Sequence, residues 1–453
     1  MNALFVICGL GVFSLLAEVF NLKKWTTIVA ITGLIVAFAF VLIDWKGISY
    51  YYHGMVYFDH FALAFSGLIL LVSVFWFWMS REYFVGDEHR TDKSALVLFV
   101  IAGAILMVSF NNMAILFLGV EILSISLYVL AGSNKQSLLS TESSFKYFLM
   151  GSFATGFLLF GMTLVYGATG SFNIPAIADF TQGHESMPRF LFIGMLLMMV
   201  GLGFKISAVP FHLWAPDVYE GSPTPITTLM STVVKIAAFG AFVKIFSVAF
   251  VKFRFTMLVF EQSLMVLTLV VANITAVYQT NVKRMLAYSS VGQVGYLLLA
   301  FSSDPTNSKG TIFYYLAGYA VASIMAFTVV QLIENKKGSA NIENFKGLFK
   351  ANPLLAIAMT IAMFSLAGIP PLAGFFGKYL TFTLSIDNGF IALTVVAVIT
   401  SLIGVYYYFK PVIAMSQASE SEITVSNSEK MLLSILILVN LMVGIFPDLI
   451  KFI

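Results

Sequence analysis

Apolar residues along this chain fall in long unbroken runs rather than at helical or strand spacing, and polar positions collect in the short stretches between them. A helix that crosses a bilayer needs roughly 20 mostly apolar residues. Fourteen segments meet that requirement, approximately 2–20, 25–43, 61–79, 95–110, 113–131, 145–166, 190–216, 226–250, 257–278, 285–302, 311–332, 353–384, 390–408 and 431–446. The connectors are too short to hold a soluble domain. The pattern predicts an all-α polytopic membrane protein.

Composition narrows the function. Apolar residues make up 59% of the 453 and charged residues 10%, with a mean hydropathy of +0.93, against about 25% charged in soluble proteins. That excludes a soluble enzyme, a nucleic-acid binder and a disordered scaffold. Cys8 is the single cysteine, which leaves no disulfide and no cysteine-held iron–sulfur or zinc site. The five histidines (His53, His60, His89, His184 and His212) lack ligand spacing, and no phosphate-binding GxxxxGK[ST] loop occurs. No bound metal, haem or nucleotide is therefore expected. The net charge of +3 does not discriminate between partners.

The apolar N-terminus lacks the basic region of a cleaved signal, so the first helix is expected to be retained. Loop charges set the direction. With the N-terminus outside, the inner loops hold 14 Lys and Arg, from Lys23 and Lys24 to Lys410 and Lys430. The outer loops then hold six: Lys46, Arg189, Lys252, Arg254, Lys309 and Lys451. Both termini are expected on the outer side.

Five lysines remain inside spans: Lys146, Lys205, Lys235, Lys244 and Lys378. A charge at the centre of a membrane helix costs about 2.5–3.5 kcal/mol on insertion scales, so such residues persist where they have a partner, water or a task. Glu121 lies about nine residues into its helix, roughly 14 Å deep at 1.5 Å per residue, near the midplane of a ~30 Å core. Ser124 and Tyr128 extend it into a polar stripe. Lys235 sits at similar depth, with Thr228, Ser231 and Thr232 in the turns before it. Lys146 follows Glu142 at i+4, and snorkelling or that pair would account for it. Lys244, near the outer end, is expected to snorkel. Glu18 and Glu261, at span ends, are expected at the interface.

Two spans carry helix breakers. Lys205 precedes Pro210 within one apolar segment, and Lys378 follows Gly368, Pro370, Pro371 and Gly374 within another. Backbone groups freed by Gly and Pro need protein or water to satisfy them. Paired interruptions in two halves point to an inverted-repeat transporter. The two breaks stand about five spans apart, giving repeats over spans 4–8 and 9–13 in opposite orientation. The corresponding division is an N-terminal three-helix extension (1–80), two repeats (94–250 and 257–415) and a last helix (430–453). A midplane carboxylate among buried lysines suggests proton relay. Desolvation disfavours a charged lysine and a nearby carboxylate favours it, so a changing Glu–Lys separation would switch the lysine near neutrality. His212 is a further switchable donor, or a satisfied core histidine.

The run from Phe204 to Pro225, FKISAVPFHLWAPDVYEGSPTP, resembles the signature of the antiporter-like membrane subunits of respiratory complex I, the proton-pumping NADH:quinone oxidoreductase. The resemblance covers nearly the whole chain and is strongest to the branch of subunit N, whose mitochondrial counterpart is NADH dehydrogenase subunit 2. Fourteen spans match bacterial or plastid forms, since animal mitochondrial ones lack the first three. The family's span-five glutamate falls on Glu121 in Leu118-Gly119-Val120-Glu121. Its lysines fall on Lys205, on the central Lys235 and on Lys378 in Gly377-Lys378-Tyr379, with an additional one on Lys146. Lysine at 378 favours subunit N over subunit M, which has glutamate there, and the long lateral helix of subunit L is missing. In the run from Tyr288 to Tyr296, Gln293 stands where many relatives have histidine. A relay through that position would need water or Tyr296.

The resemblance implies one proton channel in a redox-driven pump. Glu121 and Lys205 would form the modulated pair, Lys235 the central carrier, and Lys378 the group passing protons outward. Flavin, iron–sulfur clusters and quinone would belong to partner subunits, with none in this chain. The partners would be neighbouring antiporter-like and small membrane subunits, and the location a bacterial inner membrane. Two rivals remain: a subunit of a multi-subunit cation/proton antiporter without electron input, and a structural membrane subunit that moves no protons. The first would need a sodium site, and no midplane carboxylate cluster accompanies Glu121. The second leaves the buried charges without a role.

Overall fold

The computed structural model describes residues 1–84, 89–418 and 423–450. Lys451, one of the outer-loop lysines counted above, lies outside the described residues. In hydrocarbon a helix pairs all its backbone groups internally, and the chain follows that rule almost throughout. The helices run α1 (Asn2–Val19), α2 (Thr26–Asp44), α3 (His60–Met79), α4 (Arg90–Ser109), α5 (Met113–Ala131), α6 (Leu138–Thr169), α7 (Ile174–Gly183) and α8 (Arg189–Ile206). They continue as α9 (Trp214–Gly221), α10 (Thr224–Ser231), α11 (Val233–Val248), α12 (Arg254–Val277), α13 (Val282–Ser303) and α14 (Ser308–Lys337). The last are α15 (Leu348–Ala351), α16 (Pro353–Ala367), α17 (Ala373–Asp387), α18 (Ile391–Ser416) and α19 (Asn427–Ile445). Among the described residues 13 helical segments are long and apolar enough to cross a membrane, with α10 and α11 taken as one. The twelfth expected segment, 353–384, is the split pair α16 and α17. The protein is a multi-pass, all-α membrane protein.

Four local features depart from the apolar pattern. A two-stranded hairpin, β1 (Ser49–Tyr51) with β2 (Val56–Phe58), occupies the second connector, its Tyr50 and Tyr57 rings stacked at 4.3 Å. The short helix α7 fills another connector. Helix α6 starts at Leu138 rather than near 145, because Ser137 caps a polar first turn that hydropathy alone reads as loop. The eighth span, read as continuous, is interrupted at Thr232. There the Thr228 carbonyl accepts from the Thr232 amide at 3.1 Å, from Thr232 Oγ1 at 2.6 Å and from Ser231 Oγ at 3.0 Å. Side-chain hydroxyls compete for the backbone and open the helix.

The chain forms two compact units. The first contains Met1–Ile206 and Val233–Val259; the second contains Ser207–Thr232 and the chain from Phe260 onward. A linear division would keep 94–250 together, yet α9 and α10 pack with the second unit. In the first unit α4 and α5 meet backbone to backbone: a Cβ on Gly103 would stand 2.7 Å from the Gly119 carbonyl. Helix α11, apolar apart from Lys235, Lys244 and Ser247, is almost wholly buried against α3, α4 and α8. In the second unit α13 and α14 take the interior positions.

Each unit carries the same small device. In the first, Met113 N donates to Phe172 O and Ile174 N to Asn111 O, both at 2.9 Å. In the second, Val282 N donates to Ala340 O at 2.8 Å and Ile342 N to Thr280 O at 2.9 Å. Asn112 and Asn281 cap the helices that follow, α5 and α13, through their side-chain oxygens.

Candidate functional site

In the first unit the buried charges gather on α5, α8 and α11. Lys205 lies in the last turn of α8 and is almost fully buried. Its Nζ donates to Ser124 Oγ at 2.5 Å and lies 5.8 Å from the ring centres of both Tyr128 and Tyr147. Ser124 is one turn beyond Glu121 on α5, so Lys205 reaches the glutamate's helix without pairing with its carboxylate. Glu121 Oε1 is buried and has no hydrogen-bond partner. The pair is therefore open, and the hydroxyl that receives Lys205 turns its own hydrogen to the Val120 carbonyl.

Helix α8 ends at Ile206, and Ser207 turns the chain with a φ of 63° before a cis Val209–Pro210 bond. The free end is occupied: Lys235 Nζ, from α11, donates to the Ile206 carbonyl at 2.8 Å. In the second unit α16 ends at Ala367, Gly368 takes a φ of 89°, and a cis Pro370–Pro371 bond follows. Lys378 Nζ, from α17, donates to the Ala367 carbonyl at 2.8 Å and to Ser401 Oγ at 2.8 Å. Thus each unit sets a buried lysine on the last carbonyl of an interrupted helix. The negative end of the helix dipole and a charge-assisted hydrogen bond both favour a cation there. A continuous helix would offer no such carbonyl.

The glycines make the second break possible. Gly368 holds the left-handed position that closes α16. At Gly374 a Cβ would stand 1.8 Å from the Ser365 carbonyl, so only glycine lets α17 start that close to α16.

The remaining expected residues fall in different settings. Lys378 Nζ lies 4.7 Å from the Tyr296 ring centre, which places Tyr296 beside the lysine. Gln293, on α13, is buried with both ends of its amide engaged: Oε1 accepts from Tyr315, while Nε2 donates to Tyr408 at 2.9 Å and to the Leu366 carbonyl at 3.1 Å. His212 is buried in the second unit between α8 and α9, its ring 6.4 Å from that of Tyr288. Lys146 pairs with Glu142 at 2.7 Å on a partly exposed face of α6.

Of three interfacial readings, those for Lys244 and Glu261 come out differently. Lys244 does not snorkel: it is 6% exposed and donates to the Val108 carbonyl at 3.1 Å, at the C-terminal end of α4, with Asp59 at 4.0 Å and the Tyr57 and Phe110 rings at 5.7 and 5.4 Å. Its reach is taken up by a helix end inside the unit. Glu261, seven residues into α12, is 3% exposed. Glu18 is half-exposed and pairs with Lys23 at 2.5 Å.

Hydropathy missed one cluster in the second unit. Lys283 and Arg284 open α13, immediately before the apolar run, and so read as loop residues. Lys283 is buried and donates to the Ser222 carbonyl at 2.9 Å and to Glu334 Oε1 at 3.2 Å. Arg284 donates to Asp217 at 2.8 Å and Glu220 at 2.9 Å. The available signal was Glu334 itself, the one acidic residue within α14, following an apolar run.

Residues 110–404 match the family described as NADH:quinone oxidoreductase/Mrp antiporter, TM. The chain is 45% identical to NADH-quinone oxidoreductase subunit N of Cytophaga hutchinsonii, over 99% of this chain and 98% of that one. Among solved structures it is similar to a chain of respiratory complex I from Thermus thermophilus, with a TM-score of 0.86 at 31% identity, covering 99% and 98% of the two chains. It shares its fold with a chain of the Mrp complex from Dietzia sp., with a TM-score of 0.89 at 20% identity, covering 99% and 95%.

Proposed function

The chain belongs to the NADH:quinone oxidoreductase/Mrp antiporter family of membrane subunits, in the branch of subunit N, and from that membership we propose that it moves protons through Glu121, Lys205, Lys235 and Lys378. It is an antiporter-like, proton-translocating subunit of complex I, and electron transfer to quinone takes place elsewhere in that enzyme. Flavin, iron–sulfur clusters and quinone sit in partner subunits, and this chain contributes no redox centre. Its neighbours are other antiporter-like and small membrane-arm subunits. Its membrane is a bacterial inner membrane, with both termini on the outer face. The paired hydrogen bonds at Asn111–Ile174 and Thr280–Ile342 support two repeats over spans 4–8 and 9–13.

The observation that carries the relay is the pair of lysines on broken-helix carbonyls, Lys235 on Ile206 and Lys378 on Ala367. Lys205 enters through Ser124. Glu121, Lys205 bound one turn away from it, and the helix-end lysines Lys235 and Lys378 are each groups that gain and lose one proton. The position of Gln293 supports a path that bypasses its amide, which is occupied at both ends.

Extraction of native membranes in a mild detergent, followed by isolation of the tagged chain, tests this reading. Mass spectrometry is expected to identify flavin- and iron–sulfur-bearing subunits alongside it. Recovery with small membrane subunits alone would transfer the chain to the electron-independent antiporters. In the assembled complex, Ser124→Ala removes the oxygen that Lys205 donates to. Electron-driven proton uptake is expected to fall about three- to tenfold, corresponding to the ~1 kcal/mol scale of one buried hydrogen bond. An unchanged rate in reconstituted vesicles would remove Ser124 from the Glu121–Lys205 coupling.

A further inference from the structure

The relay proposed above leaves the Lys283–Glu334 ion pair unused, and its position suggests a task. Glu334 lies near the C-terminal end of α14, at the polar end that carries Lys336 and Lys337, which the basic loops assign to the inner face. Its side chain is 30% exposed, whereas its partner Lys283 is 3% exposed. One carboxylate oxygen faces Lys283 at 3.2 Å. The other accepts a hydrogen bond from the hydroxyl of Thr224, the buried first residue of α10.

From Thr224 a row of hydroxyls runs up α10. Thr228 Oγ1 donates to the Thr224 carbonyl at 2.8 Å, and Ser231 and Thr232 donate to the Thr228 carbonyl at 3.0 and 2.6 Å. All four side chains are buried. Side chains a turn apart on a helix have Cβ atoms about 5–6 Å from each other, so one water molecule can link their hydroxyls. A hydroxyl both donates and accepts, so such a row passes a proton by accepting on one side and releasing on the other. Lys235 follows Thr232 three residues later along the same segment.

We propose that Glu334 is the proton-loading residue of this row, with Lys283 as its positioning residue. The carboxylate takes a proton on its exposed side and becomes a carboxylic acid, which loosens the pair with Lys283. It then gives a proton to Thr224 as the row passes one onward, and returns to the carboxylate that Lys283 holds. One proton enters and one leaves, with no change in oxidation state. The neighbouring Arg284–Asp217–Glu220 cluster fastens α9 to α13.

The proposal rests on Lys235 as central carrier, and its test separates the two. In the assembled complex reconstituted into vesicles, Glu334→Gln is expected to reduce electron-driven proton uptake at least fivefold, with Glu334→Asp recovering half or more. Thr224→Val is expected to reproduce the loss, and Thr224→Ser to keep the wild-type rate. A structural role would not follow proton-carrying capacity in this way. Wild-type uptake in assembled Glu334→Gln, with Lys235→Ala inactive, overturns the loading role alone. Wild-type uptake in both would remove the central carrier as well. Should Glu334→Gln fail to assemble, the Thr224 pair decides: equal rates for valine and serine overturn the proposal.

Discussion

Replacing Lys235 by alanine is expected to reduce proton transport coupled to quinone reduction at least tenfold while the complex still assembles. The side chain is 3% exposed and holds the last carbonyl of α8 at 2.8 Å. Loss of a hydrogen bond to a charged group costs about 1.5–3 kcal/mol. Removal of a buried cation returns much of that, because the cation's own desolvation is costly. Stability therefore changes little, and the loss falls on transport. Lys235→Arg sharpens the experiment. Arginine keeps the positive charge and can still donate to Ile206, yet it does not release its proton in proteins. A lysine that only capped α8 would be replaced well by arginine. A lysine that carries protons would not, and Lys235→Arg is expected to be as inactive as Lys235→Ala. Proton uptake per electron, measured with a pH-sensitive dye in reconstituted vesicles, distinguishes the two. Full stoichiometry in either variant would sink the carrier role.

The depth of that role in the chain was legible because the bilayer makes charge conspicuous. Glu121, Lys205, Lys235 and Lys378 stand out in apolar runs, and Gly368, Pro370 and Pro371 mark a helix that cannot continue. What hydropathy could not reveal is where each charge finds its partner. Lys244 reads as a snorkelling residue, and only the end of α4 beside it shows why it turns inward to Val108. Lys283 reads as a loop residue because its partners, Glu334 and the Ser222 carbonyl, are distant in sequence. The break at Thr232 was hidden for a different reason. Threonine does not interrupt an apolar run, and its effect depends on three donors converging on one carbonyl, that of Thr228. Gln293 was legible as a departure from the family's histidine. Its use as a fixed contact among Tyr315, Tyr408 and Leu366 depends on three helices meeting at its amide.

The same dependence on close approach makes Gly374 the most sensitive glycine for the second unit. Gly374→Val is expected to deplete the subunit from the assembled complex, and Gly374→Ala to lower its thermal stability by at least the upper end of the ~1–3 kcal/mol that overpacking costs. A Cβ there would lie 1.8 Å from the Ser365 carbonyl, which is backbone and cannot rotate away. The surrounding turn has no slack to absorb the shift. Gly374 N donates to Ser365 Oγ at 3.2 Å, and Asn440 on α19 donates to the same oxygen at 3.1 Å. From the other side, a Cβ on Gly444 would stand 2.1 Å from the Pro371 carbonyl, so α19 already presses on the turn. Relief would have to come from moving α17 away from α16. That movement draws Lys378 off the Ala367 carbonyl, so even an assembled Gly374→Ala complex is expected to pump more slowly. Gly156, on an exposed face of α6 with nothing within 4 Å, serves as the comparison. Its replacement by alanine adds a better helix former without a clash, and native gels with thermal melts should show no loss. Wild-type abundance and pumping in Gly374→Ala would mean that α16 and α17 can separate without consequence, and that Lys378 does not need the end of α16 to act.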